Sequence, residues 1–165
     1  MLEPERVVAF SLSGIVAKTV LDVGTGTGLL AEAFAGAGLD VTGVDTNPEL
    51  LAAARLHVPS GRFVEGVAEA LPFADKSFDL AFLALVLHEV DSPLLALREA
   101  ARTARMRVVV VEWPYRAEES GPPLEHRLSP ERIEELAGAA GLVTEARESL
   151  SRIDLWAFAP PHSAL

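Results

Sequence analysis

"LDVGTGTG", Leu21 to Gly28, sets three glycines into five positions directly behind an apolar run. Glycine weakens regular structure, so three at alternate positions need a local reason. The usual one is that something other than protein comes very close to the main chain. Val20–Val23 reads as a first strand, Gly24–Gly28 as a turn, and "LLAEAFAGAG" as the helix that follows. A dinucleotide fingerprint, G-x-G-x-x-G, would put its third glycine where Leu29 stands. A phosphate loop ending in G-K-[ST] needs a lysine, and this loop has none. Asp45 closes a second strand 23 residues beyond Asp22, where an acid accepts from ribose hydroxyls and repels a 2′-phosphate. The competing reading is a plain tight turn, with Asp45 a solvated strand end. The joint occurrence of the glycines, Asp22 and Asp45 at this spacing speaks against it.

Working outward from the loop, strands and helices alternate. Short β-branched runs occur at Thr19–Val23, Val41–Asp45, Arg62–Glu65, Asp79–Leu83 and Arg107–Glu112, with Ala- and Leu-rich helical stretches between them. That alternation predicts a parallel sheet covered on both faces. Asn47-Pro48, Ser92-Pro93 and Ser129-Pro130 each predict a helix start. The side-chain oxygen takes an orphan N–H, and proline fits the first helical position. Leu142–Leu150 and Ile153–Ala159 read as two strands in a closing hairpin, and about Glu3–Ala17 as one short N-terminal helix within residues 1–18. Trp113–Glu131 reads as one long loop. The expectation is an α/β fold, an open sheet that is mostly parallel with an antiparallel C-terminal hairpin strand, and its ligand lies at the carboxyl ends of the strands.

Length and composition fit that expectation. The 165 residues make a single domain, 1–165, and 50% apolar residues are enough to fill a core. There is no cysteine, hence no disulfide framework, thiolate zinc site or cysteine nucleophile. The formal charge of −10, with no Lys/Arg cluster, argues against nucleic-acid binding. The opening "MLEPERVVAF" is not a secretory signal, and the longest apolar run, Leu80–Leu87, is too short to span a bilayer. The expected location is the cytoplasm.

Four stretches in order, "VLDVGTGTG", "VTGVDTNPELLAAAR", "GRFVEGVAEALPFADKSFDLAFLALVLHEV" and "HRLSPERIEELAGAAGL", resemble the class I S-adenosylmethionine-dependent methyltransferases. The resemblance is to their small-molecule branch of the ubiquinone/menaquinone-biosynthesis type, and it runs from about Val20 to Ala159. It implies a doubly wound Rossmann-like sheet, S-adenosylmethionine as cofactor and S-adenosylhomocysteine as product. By that resemblance Asp22, Gly24, Thr25, Gly26 and Gly28 form the loop against the methionine part, and Asp45 holds the ribose. Thr46 and Asn47 flank the adenine, and Ala68 offers it a backbone N–H with Glu69 beside it. Leu83, Ala84 and Leu85 line the sulfonium end. One departure stands out: such proteins commonly carry an acid just before that alanine, and here the residue is Val67. One charge-assisted hydrogen bond, worth roughly 1.5–3 kcal/mol, is thereby in question.

The chemistry implied is in-line methyl transfer to a small-molecule acceptor, for which the protein supplies alignment and water exclusion. His88 and Glu89 follow the fourth strand and Glu112 ends the fifth, all at the ligand edge. His88 is the candidate base, with a structural turn residue as the alternative. Glu112, Tyr115, His126 and Arg127 are the candidate acceptor-binding residues. Their plainer readings are a helix cap for Glu112, loop packing for Tyr115 and a surface ion pair for Arg127. The adenine- and glutamine-directed N/D-P-P-Y/F motif is absent, since "LALVL" stands there. No cluster of acids can be assembled as a metal site. The acceptor site is expected to be open, covered by the Trp113–Glu131 loop, or closed by a second subunit of a homodimer. A non-catalytic module that binds the cofactor or docks a partner is the alternative to an enzyme. A nicotinamide-dependent oxidoreductase is set aside by the glycine spacing.

Overall fold

The structure, a computed structural model, describes residues 2–162. Five β-branched runs pair as parallel strands: β1 (Thr19–Val23), β2 (Asp40–Asp45), β3 (Arg62–Glu65), β4 (Phe78–Ala84) and β5 (Ala104–Glu112). Two more, β6 (Val143–Ser149) and β7 (Asp154–Ala159), make the C-terminal hairpin, and β7 lies antiparallel to β5. The sheet order is β3-β2-β1-β4-β5-β7-β6, the doubly wound arrangement expected from the sequence. Winding reverses between β1 and β4, and the crevice at their carboxyl ends is where such sheets take ligands.

Alternation along the strands divides the core into two layers. Val20, Leu80, Phe82, Val109 and Val111 face α1 (Pro4–Leu12), α2 (Leu29–Gly36) and α3 (Pro48–His57). Leu21, Leu83, Val108 and Val110 face α4 (Pro93–Thr103) and α5 (Pro130–Ala139). Within the first layer Phe34 meets Phe82 edge-on, with ring centroids 4.9 Å apart and both side chains fully buried. Truncating either ring would cost about 3–5 kcal/mol. All three Asx/Ser-Pro caps form. The Asn47 side chain accepts from Glu49 N–H at 2.9 Å, Ser92 from Leu95 N–H at 3.2 Å and Ser129 from Arg132 N–H at 3.2 Å.

Three boundaries differ from the sequence reading. α1 ends at Leu12 rather than near Ala17, because the chain turns at Gly14 with φ of 75°. β5 begins at Ala104, three residues before Arg107, since α4 runs straight into it; the exposed Arg105 and Met106 masked the start. The long loop holds one 3₁₀ turn, Leu124–His126, and gives way to α5 at Pro130.

Candidate functional site

The glycine loop leaves β1 and is tied at once to its neighbour strand. Gly24 and Thr25 donate their N–H groups to the Val44 carbonyl at 2.8 and 2.9 Å. Each glycine has its own reason. A Cβ on Gly24 would collide with Val86, and one on Gly28 would come within 3.2 Å of Ala54 in α3. Only Gly26 faces open space, with φ of +55° and nothing within 4 Å of an added Cβ. All three adopt positive φ, and packing adds a second reason at Gly24 and Gly28; Gly24 is exposed while Gly26 is half-buried.

Asp45 reaches back into this loop. Its Oδ2 accepts the Gly26 N–H at 2.9 Å and its Oδ1 the Asn47 N–H at 3.0 Å. Each oxygen keeps a lone pair for another donor. Asp22 lies beneath the loop, 2% exposed, and accepts from the Thr25 hydroxyl at 2.7 Å. Burial pushes its carboxyl up to about 7, with the Thr25 bond opposing and the Asp45 charge adding to the shift.

A cleft of about 280 Å³ opens beside the loop, its walls including Gly24, Asp45, Thr46, Val67, Ala68 and Glu69. Its other wall was not expected. Leu83 is buried in the core beneath α4, and Ala84 and Leu85 pack with the opposite layer. The post-β4 wall is instead Val86, Glu89, Val90 and Asp91. The reason is a left-handed turn at Leu85, φ 58°, whose N–H bonds to the Val111 carbonyl at 2.8 Å and re-aims the chain. Glu69 fastens this wall, accepting from Asp91 and Ser92 N–H at 3.1 and 3.4 Å. The "LVLHEVD" segment contains these residues, but its alternation does not reveal which of them face the cleft.

His88 and Glu112, separate candidates in the sequence, form one unit. His88 Nδ1 lies 2.8 Å from Glu112 Oε2, and the two side chains are 6% and 1% exposed. Glu112 also accepts the backbone N–H of His88 at 3.2 Å and of Trp113 at 3.3 Å. Burial acts to lower the His88 pKa, but the hydrogen bond and charge of Glu112, with the charge of Glu89, raise it above its ordinary value. Of the remaining acceptor candidates, Tyr115 and His126 are exposed on the loop. Arg127 does form an ion pair, with Glu118 at 3.5 Å, but from a buried position rather than at the surface. Its side chain is 1% exposed and donates to the carbonyls of Pro114, Ser120 and Pro122 at 2.7–2.9 Å, with its guanidinium 5.5 Å over the Trp113 ring. Among the described residues no group of three His, Asp or Glu could hold a metal ion, and no helix is long and apolar enough to cross a membrane.

Residues 21–111 match the family model described as a methyltransferase domain. The chain belongs to the methyltransferase domain family. Similar curated proteins include a demethylmenaquinone methyltransferase of Renibacterium salmoninarum, 37% identical over 112 residues, which are 67% of this chain and 47% of that protein. An uncharacterized methyltransferase of Mycolicibacterium gilvum is 45% identical over 89 residues, 53% of this chain and 35% of that protein. The chain thus spans less than half the length of these relatives. A SAM-dependent methyltransferase from Aquifex aeolicus shares the fold, with a TM-score of 0.84 over 97% of this chain and 90% of that one, at 23% identity. Membership agrees with the family resemblance read from the sequence and with S-adenosylmethionine as the methyltransferase cofactor. The site fits that cofactor: exposed main chain at Gly24 in the cleft, two acid oxygens at Asp45, and a cleft wall carrying carboxylates but no Lys or Arg.

Proposed function

We propose that the chain transfers a methyl group from S-adenosylmethionine to a small, uncharged aromatic acceptor of the quinol type. The observation that carries this reading is the Asp45–Gly26 contact, which sets a hydrogen-bonding carboxylate beside the glycine loop at the switch point of the sheet. Gly26 lies against the methionine part, Asp45 accepts from the ribose hydroxyls, and the Gly66–Ala68 segment borders the adenine. The bound cofactor supplies an activated methyl group on a cationic sulfur. The protein's part is to hold that carbon in line with the acceptor and keep water out.

Charge narrows the acceptor. Asp45, Glu69, Glu89 and Asp91 line the cleft with no basic side chain among its walls. Such a wall attracts a cation and repels an acceptor bearing carboxylate or phosphate. Relatives named demethylmenaquinone methyltransferases support a quinone-type acceptor. The test is calorimetry with S-adenosylmethionine, then S-adenosylhomocysteine release with 1,4-naphthoquinol, benzoquinol and a carboxylated naphthoquinol. We expect 1:1 binding and turnover with the uncharged quinols alone. Binding without release on any acceptor would instead support a non-catalytic module, a reading favoured by the exposed Val67 in the adenine-side wall.

A further inference from the structure

The His88–Glu112 pair joins the ends of two adjacent parallel strands, and its polarity is fixed by its surroundings. Glu112 receives three donors: the Nδ1–H of His88 at 2.8 Å and the backbone N–H groups of His88 and Trp113 at 3.2 and 3.3 Å. Backbone N–H groups can only donate, so Glu112 acts as an acceptor in those two contacts. The imidazole nitrogen facing an ionised Glu112 carries hydrogen. In neutral His88 the lone pair is left on Nε2. That nitrogen belongs to a side chain only 6% exposed. It lies 3.6 Å from an oxygen of Glu89, a side chain 73% exposed that belongs to the cleft wall.

We propose that His88 accepts the acceptor's proton at Nε2 during methyl transfer, and that Glu112 is the positioning residue that keeps this nitrogen free by holding the Nδ1 proton. The inference rests on the methyl-transfer reading above and adds the residue that handles the proton. For a quinol the step balances simply. The O–H bond breaks and its proton moves to Nε2. The freed electron pair, on oxygen or delocalised to the adjoining ring carbon, bonds to the methyl carbon as the C–S bond breaks and leaves its pair on sulfur. The imidazolium passes the proton to solvent on the exposed Glu89 side.

Three charged groups face His88: Glu112 from β5, Glu89 from its own segment, and Arg127 from the loop before α5. The carboxylates favour the imidazolium and Arg127 opposes it. Burial also disfavours the imidazolium, but the Glu112 hydrogen bond and the two carboxylate charges outweigh it and hold the His88 pKa above its ordinary value. Turnover then rises with pH as the imidazolium loses its proton. A histidine that only packs the turn would give no such rise.

The experiment has one arm that needs no acceptor. In the full chain labelled with ¹⁵N-histidine, neutral His88 should show the Nδ1–H tautomer and a titration midpoint above that of free histidine. Glu112→Gln should lower that midpoint and give up the Nδ1–H preference, with S-adenosylmethionine affinity by calorimetry changed less than about twofold. In the second arm, with 1,4-naphthoquinol, Glu112→Gln should move the pH–rate inflection downward, and His88→Gln should reduce kcat by ~10²-fold or more with little change in KM. An Nε2–H tautomer in the wild type, or an unchanged kcat in His88→Gln, overturns the proposal. A wild type that shows the expected tautomer but releases no S-adenosylhomocysteine with naphthoquinol counts against the quinol reading and upholds the polarity of the pair.

Discussion

The carboxylate of Asp45 holds the backbone N–H of Gly26 at 2.9 Å, so the acid at the end of β2 shapes the glycine loop that leaves β1. Asp45→Ala therefore removes two things at once: the acceptor for ribose hydroxyls and the tether of the loop. Each charge-assisted bond is worth ~1.5–3 kcal/mol, so the dissociation constant for S-adenosylmethionine should weaken at least tenfold. Calorimetry reads this directly; equal affinities for variant and wild type would place Asp45 outside the site.

Val67 is 45% exposed in the cleft wall, between Gly66 and Ala68. Val67→Asp supplies the carboxylate that the family resemblance leads one to expect there. S-adenosylmethionine should bind about tenfold more tightly, consistent with one charge-assisted bond, while the inosine analogue lacking the amino group gains nothing. A variant with unchanged affinity for both would show that the adenine amino group does not face this residue.

Asp22 gives the fold a pH signature. Its folded pKa of about 7 lies above the ordinary carboxyl value of 3.8, so its protonated form is the one the fold prefers. Stability from this group is full below pH 3.8 and declines as pH rises towards 7, a difference on the order of 4 kcal/mol. Asp22→Asn should match the wild type near pH 4, exceed it at pH 8, and flatten the slope between. Urea denaturation across that range is the measurement. A cationic cofactor favours the carboxylate, so binding near pH 6.5 should release protons, seen as buffer-dependent heats that vanish in Asp22→Asn.

Arg127 organises the loop after β5. Its guanidinium satisfies the carbonyls of Pro114, Ser120 and Pro122 from a buried position over Trp113. Arg127→Met leaves those carbonyls without a donor and should cost about 3 kcal/mol, with faster proteolytic cleavage between Trp113 and Ser129. Lysine should not rescue it, because a single ammonium cannot span three acceptors arranged for a planar fork. Thermal melts and limited proteolysis of the two variants decide the matter.

Local chemistry carried most of the fold. Short β-branched strand runs, three Asx/Ser-Pro caps and the glycine turn are each written within a few residues, so their places along the chain could be read without knowing what they touch. Membership of the methyltransferase family was legible for the same reason, since the loop and the strand-end acid depend on order and spacing. What the sequence left open involves partners far apart in the chain. Glu112 meets His88 only because β4 and β5 lie side by side in register. Gly24 and Gly28 answer to Val86 and Ala54, which no turn motif names. The wall built by Val86 and Glu89 follows from one left-handed residue, Leu85, and Arg127 is buried because a loop folded around it. The sequence by itself determined which elements form and where a ligand could approach the main chain, because hydrogen-bonding and dihedral preferences act over single turns. Tertiary structure alone decided which titratable groups meet and which side chains face the cleft, because those depend on how strands pair and on where water is excluded.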